Sequence, residues 1–188
     1  MKIIENNNAI VLTGGPGMGK TSLIESLSKL HYECIPESGR AIIKEQEAQG
    51  GHKLPWITPV DFAQAMFEQA LIDYEKALAH GEICFFDRGL PDCIGYLKVC
   101  NLSVPAAYWQ AAKRYRYSKK VFITPPWLAI YENDAQRKQS FEEAVMTYLQ
   151  IANVYRELGY NLIEVPKRSV PNRVAFLLKS IDNRPTRT

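Results

Sequence analysis

The sequence predicts an α/β fold: a three-layer α/β/α arrangement around a five-stranded parallel sheet. Short apolar runs recur along the chain, amphipathic helical stripes separate them, and a glycine-rich turn joins the first run to the first stripe. Strands covered on both faces read as apolar runs rather than as alternations, and these segments do so.

The strand-like runs are residues 9–13, 32–36, 83–87, 120–124 and 161–165. A helix over 20–30 follows the first, and a helical pattern begins at Gly39 after the second. The clearest stripe spans 61–79. Ala63, Met66, Phe67, Ala70, Tyr74 and Ala77 recur at helical spacing, while Gln64, Glu68, Asp73 and Lys76 face away. Pro59 and Asp61 suit its start and Gly81 its end. A second stripe runs from Phe141 through Ala144, Tyr148 and Ala152 to Tyr155 and stops at Gly159. Two irregular stretches, 49–58 and 125–139, are long for a compact α/β unit, so they are a candidate substrate loop and a candidate lid. Without repeats or a clear linker, residues 1–188 read as one domain.

The chain is 46% hydrophobic and 23% charged, an ordinary globular balance. Its apolar runs are too short for a membrane span, which takes about 18 residues or more, and the N-terminus has no secretory pattern. The four cysteines form no CxxC pair and no zinc spacing, which fits a reducing cytoplasm. A net charge of +3 is too mild to point to nucleic acid. The basic cluster RYRYSKK (114–120) alternates with tyrosines, as a base-stacking surface does. The expectation is instead a solvated helix end leading into a strand. Oligomeric state is not readable.

Gly14, Gly19, Lys20 and Thr21 match the Walker A pattern GxxxxGK[ST] between a strand and a helix. Gly14, Gly15, Pro16, Gly17, Met18, Gly19, Lys20, Thr21 and Ser22 therefore form a candidate cradle for a polyphosphate. Glycines let backbone N–H groups approach phosphate oxygens, and the helix presents its positive end to the same anion. Lys20 supplies a charge to the β- and γ-phosphates and Thr21 a hydroxyl to Mg²⁺. The strand ICFFD ends at Asp87, an acid on the rim where ligands of parallel sheets collect, placed to hold Mg²⁺. Arg88 follows it. A motor ATPase puts a second acid there, whereas an arginine grips phosphate, which favours transfer over hydrolysis.

Glu37 ends the second strand at the same rim, as a candidate base for a substrate hydroxyl or as a neighbour of a helix cap at Ser38. Arg40, one helical turn from the rim, is a lesser candidate for gripping an anionic group of the substrate. In GGHKLPWIT, Trp56 either stacks on a substrate ring or plugs the core, and His52 lacks the partners of a metal ligand. Arg137, with Lys138, heads the last amphipathic stripe as a basic lid candidate over the transferring phosphate. The loop VPKR after the last strand would border the nucleotide base. No NKxD pattern occurs, so ATP is expected rather than GTP.

With these motifs in line, the sequence resembles P-loop proteins with a NadR-like AAA domain. The resemblance rests on GGPGMGKT, IPESGRAII, GGHKLPW, FFDRGLPD, GYLK, TPPW, IYENDAQRKQSFEEA and LGYNLIEVP, and it covers nearly the whole chain. It implies a nucleotide-kinase-like P-loop NTPase fold. The better-studied relatives are ribosylnicotinamide kinase domains and, further off, deoxynucleoside and thymidylate kinases. The latter two carry an acid–arginine pair after the third strand, which Asp87 with Arg88 resembles, and a glutamate after the second, which Glu37 resembles. The chain is too short for the helical C-terminal domain of a ring-forming motor. The expected activity is transfer of the ATP γ-phosphoryl group, with Mg²⁺ on Thr21 and Asp87, to a hydroxyl of a nucleoside-like acceptor. The alternative is a slow NTPase or a nucleotide-gated module acting on a protein or lipid.

Overall fold

The computed structural model describes residues 2–131 and 140–182. In chain order the strands and helices are β1 (Ile4–Glu5), β2 (Ala9–Gly14), α1 (Lys20–Lys29), β3 (Glu33–Ile35), α2 (Ser38–Gln49), α3 (Pro59–His80) and β4 (Cys84–Asp87). They continue as α4 (Leu90–Val99), α5 (Ala106–Arg114), β5 (Tyr115–Arg116), β6 (Lys120–Thr124), α6 (Phe141–Glu157), β7 (Asn161–Glu164) and α7 (Val170–Asp182). The main sheet has the order β3-β4-β2-β6-β7, and every pairing is parallel. All five predicted strands are present, within a residue at each end.

The first apolar run becomes the middle strand because both its faces are covered. Ala9, Ile10, Val11 and Leu12 are fully buried. Ala9 and Val11 join a core with Phe86, Val121 and the helices α3, α4 and α6; Ile10 and Leu12 join Leu23, Leu27, Phe122 and Leu177 on the other face. From this strand the chain runs first toward β3 and β4 and later toward β6 and β7. The rim above β2 is therefore the switch point at which open α/β sheets bind ligands.

The long stripe forms α3 with proline in its first turn, and Gly81, at φ 76°, ends it in the left-handed region. Asp73 departs from the expectation. It is half-buried and lines a cavity beside the sheet. Helix α6 starts with a capping box: the Glu143 amide donates to Ser140 Oγ at 3.2 Å, and the Ser140 amide donates to the Glu143 carboxylate at 2.6 Å.

The RYRYSKK cluster starts as the expected helix end, with Arg114 exposed at the end of α5, and leads into strand; it is not a base-stacking surface. Tyr115 and Arg116 form β5, parallel to β1, and Tyr117 is buried. The Tyr74 hydroxyl lies 2.9 Å from the carbonyl oxygens of both Ile4 and Arg116, clamping the small sheet to α3. The Arg116 guanidinium sits 3.9 Å from the Tyr160 ring centre. The tyrosines alternate because they pack inward. Among the described residues no helix is long and apolar enough to cross a membrane. The four cysteines are free thiols.

Candidate active site

Strand β2 runs directly into the phosphate loop. A side chain at Gly15 would place its Cβ 2.5 Å from the Ala144 carbonyl oxygen of α6, so the loop can approach α6 only without one. Gly19 is the N-cap of α1 at φ 73°, and no side chain caps the helix there. The first turn carries no acidic residue. Uncapped amides at a helix N-terminus favour an anion. Lys20 is buried, and its ammonium donates to the carbonyls of Gly15 at 2.8 Å and Gly14 at 3.3 Å. Thr21 and Ser22 follow as exposed residues on the same first turn. This cradle fits a polyphosphate.

The neighbouring strand β4 delivers Asp87 in register with Leu12 and buries it. The next amide, that of Arg88, donates to the Leu12 carbonyl at 2.9 Å, so the rim of β4 is fastened to the strand that feeds the cradle. Arg88 has φ 78°, a left-handed conformation that costs a non-glycine residue about 1–2 kcal/mol. Three contacts hold it there. Its Nε donates to Glu37 at 3.0 Å, and its Nη1 donates to the Gly14 carbonyl at 2.9 Å and to Asp92 at 3.2 Å. Burial alone would lower the Arg88 pKa. The carboxylates of Glu37, Asp92 and Asp87 outweigh it and hold the guanidinium charged.

Asp92 is the hub of this network. Its carboxylate accepts from the Thr13 hydroxyl at 2.5 Å, the Tyr155 hydroxyl at 2.6 Å and the Gly89 amide at 2.9 Å, besides Arg88. Burial and then this carboxylate push the Tyr155 pKa well up, so the phenol stays a donor. Thr13, Asp92 and Tyr155 were not singled out from the sequence. Asp92 left a local signal, the spacing Gly89-x-x-Asp92 of a helix start and the i+4 step from Arg88, whereas Thr13 and Tyr155 looked like strand and core.

Glu37 stands at the N-cap position of α2, but its side chain makes no cap bond. It points to Arg88, and Arg40 Nε lies 3.8 Å from its other oxygen. Glu37, Asp87, Arg88 and Arg40 line one cavity of about 460 Å³ between β3, β4 and helices α2, α3, α4 and α6. Trp56 lines its mouth and is 57% exposed; the core plug of that loop is Leu54, packed with Ile42, Ile43 and Phe62. His52 faces Asp61 at 3.6 Å, and among the described residues no cluster of metal-binding side chains forms. Arg137 and Lys138, and with them most of the lid candidate, lie outside the described residues.

A further residue without a sequence motif sits behind the cradle. Arg173 of α7 is 2% exposed, and its Nη2 donates to the Met18 carbonyl at 3.2 Å. A side chain at Gly19 would come within 2.7 Å of Nη1. Burial pushes the Arg173 pKa down, because no carboxylate among the described residues forms an ion pair with it.

An AAA domain family matches residues 9–173. The chain belongs to this family. No curated protein matches it in sequence. Among solved structures it is similar to deoxyadenosine kinase from M. mycoides with products dCMP and dCDP bound, at 16% identity and TM-score 0.62, over 93% of this chain and 98% of that one. It is similar to the NadR protein in complex with NR at 13% identity and TM-score 0.66, over 95% of this chain and 53% of that one. It is similar to thymidylate kinase from Ehrlichia chaffeensis at 14% identity and TM-score 0.62, over 92% and 97%. At such identities the likeness is one of fold. This AAA domain has the fold of the P-loop kinases.

Proposed function

We propose that this protein transfers the γ-phosphoryl group of ATP to a hydroxyl group of a nucleoside-like small molecule. One observation carries the reading. A single guanidinium, that of Arg88, bonds the Gly14 carbonyl of the phosphate loop and the Glu37 carboxylate at the acceptor cavity. The donor cradle and the cavity therefore meet at one point on the rim.

The loop from Gly14 to Ser22 holds the triphosphate of ATP. Glu37 accepts the proton of the acceptor hydroxyl, the oxygen attacks the γ-phosphorus, and the bond to the β–γ bridging oxygen breaks to release ADP. Lys20 and Arg88 offset the charge carried by the moving group. Thr21 and Asp87 would hold Mg²⁺, which would supply positive charge to offset that of the phosphates. The hydroxyl and the acid come from α1 and β4, which flank the cradle, so the donor set fits a hard cation. Four free thiols suit a reducing cytoplasm, where ATP is present.

The test supplies ATP labelled on its γ-phosphate to the full chain with nucleosides, ribosylnicotinamide and sugars, and follows label and product mass. At least one alcohol is expected to gain phosphate and to raise ADP release. Hydrolysis at the same rate with and without every alcohol would instead favour a slow NTPase.

A further inference from the structure

We infer that Arg173 of α7 is a positioning residue for the phosphate cradle: it fixes the Met18–Gly19 peptide with its N–H turned to the bound phosphates, and its guanidinium takes its counter-charge from that anion rather than from the protein. This role rests on the reading of the cradle as a triphosphate site, in which Arg173 has had no part.

Packing puts the arginine there. Helix α7 lies against α1 in the core that joins Leu23 and Leu27 to Val174 and Leu177. Arg173, in the first turn of α7, reaches the cradle beside α1, where its Nη2 donates to the Met18 carbonyl at 3.2 Å. Its guanidinium carbon lies 5.9 Å from the ring centre of Trp127, the last residue of the TPPW run. A Cβ at Gly19 would stand 2.7 Å from Nη1 and 3.1 Å from Ile130 Cδ1. The glycine turn, Ile130 and Trp127 thus enclose the guanidinium. Arg173 is 2% exposed, and its Nε has no hydrogen-bond partner among the described residues.

The grip on Met18 acts on the amide of Gly19. The peptide between them is trans, and a trans peptide points its C=O and N–H in opposite directions. A donor fixed on the Met18 oxygen therefore turns the Gly19 N–H away from Arg173 and its apolar neighbours. Gly19 is the uncapped start of α1, the end of a helix that favours an anion. It has no Cβ to hold that peptide in one orientation, so the tether supplies what sterics cannot. The hydrogen bond also polarises the peptide and strengthens its N–H as a donor. Charge points the same way. Arg88 lies among three carboxylates, whereas Arg173 forms an ion pair with none among the described residues, and burial pushes its pKa down. The first turn of α1 beside it carries no acid either. A buried cation without a counter-ion costs stability, and an anion in the cradle offsets that cost.

The test is calorimetry on the full chain with two probes, MgATP and magnesium tripolyphosphate, which carries the phosphates without a base. Arg173→Gln keeps a donor for the Met18 carbonyl but no charge. It binds both probes about tenfold more weakly or worse, as loss of a charge near an anion does, while the melting temperature without ligand stays level or rises. Arg173→Lys, which restores a charge, recovers affinity to within about threefold of the parent. Equal affinities in Arg173→Gln and the parent overturn the inference. So does a ligand-free melting temperature lower by about 4 °C or more, the mark of a structural strut. A loss seen with MgATP and not with tripolyphosphate places Arg173 at the base and overturns it too. If the parent binds neither probe, the cradle reading fails and this role fails with it; if the parent binds both and Arg173→Gln binds as tightly, only the role of Arg173 fails.

Discussion

The two sides of the rim are built differently. The cradle side, from Gly14 to α1, works mainly with backbone: glycines packed against α6 and Arg173, and amides at an uncapped helix start. The acceptor side, from Glu37 through Arg88 to Asp92, works with buried charged side chains that hold one another. Substitutions should therefore separate binding from stability on the first side and couple them on the second.

The largest effect is expected at the hub. Asp92→Ala leaves Arg88 with part of its counter-charge gone and three further donors unmatched, and breaking a buried pair of this kind costs about 3–5 kcal/mol. The melting temperature and urea midpoint should fall sharply, with the fold lost before any binding can be measured. Lys20→Ala is its counterpart. The ammonium donates to loop carbonyls, and loss of such hydrogen bonds costs the apo protein about 1 kcal/mol, while the rise in melting temperature given by MgATP disappears. If MgATP still protects Lys20→Ala, the cradle is wrongly placed. Between these lies Gly15→Ala. Its Cβ would press on the Ala144 carbonyl, and overpacking of that kind costs about 1–3 kcal/mol. Glu37→Gln keeps its shape and an acceptor oxygen, so ATP binding should survive while transfer to the acceptor falls by about 10²-fold or more, the usual worth of a positioned base. Retained turnover removes Glu37 from the chemistry.

The same contrast explains what was legible in the sequence. The cradle is local: strand, glycine turn, lysine and helix are contiguous, and the glycines are required by a positive φ or a close approach. Strands were legible because β2 and β6 are buried on both faces and so read as apolar runs. Helix α4 was not, because seven of its ten residues are buried and no polar face marks a period. The acceptor side is assembled from distant positions. Thr13, Asp92 and Tyr155 meet across 79 and 63 residues, and no local spacing records it. Asp73 was misread for a related reason. An acid on an amphipathic helix is assigned to water, and only the packing of α3 beside the sheet edge turns it toward a cavity.

A smaller effect sharpens the hub further. Tyr155→Phe removes one of the four hydrogen bonds to the Asp92 carboxylate and should cost about 1–2 kcal/mol. It should leave MgATP protection intact, because Tyr155 touches nothing in the cradle. A loss as large as that of Asp92→Ala would mean that the phenol, not the carboxylate, anchors Arg88.

The smallest effect is confined to alkaline solution, and it also belongs to the acceptor side. Cys34 and Cys84 sit on β3 and β4, and Tyr108 on α5 stacks on Phe67 of α3. Burial first, and then Glu33 for the two thiols, pushes Cys34 up to about 11 and Cys84 to about 12; burial, then Cys93 and Glu68, pushes Tyr108 to about 12. The unfolded chain loses these protons near 9.0 for the thiols and 10.0 for the phenol. Above those values the folded state binds more protons than the unfolded one, so stability falls as pH rises. The contribution is intact below pH 9 and is lost progressively toward pH 11–12. Urea midpoints should thus be level from pH 7 to 9 and decline from 9 to 11, and the decline should be shallower in Cys34→Ala. A midpoint that stays level to pH 11, or one that declines equally in Cys34→Ala and the parent, would mean that the β3 edge is wet enough to ionise its thiol in place, and that the acceptor side owes its stability to the Asp92 network without help from a dry sheet edge.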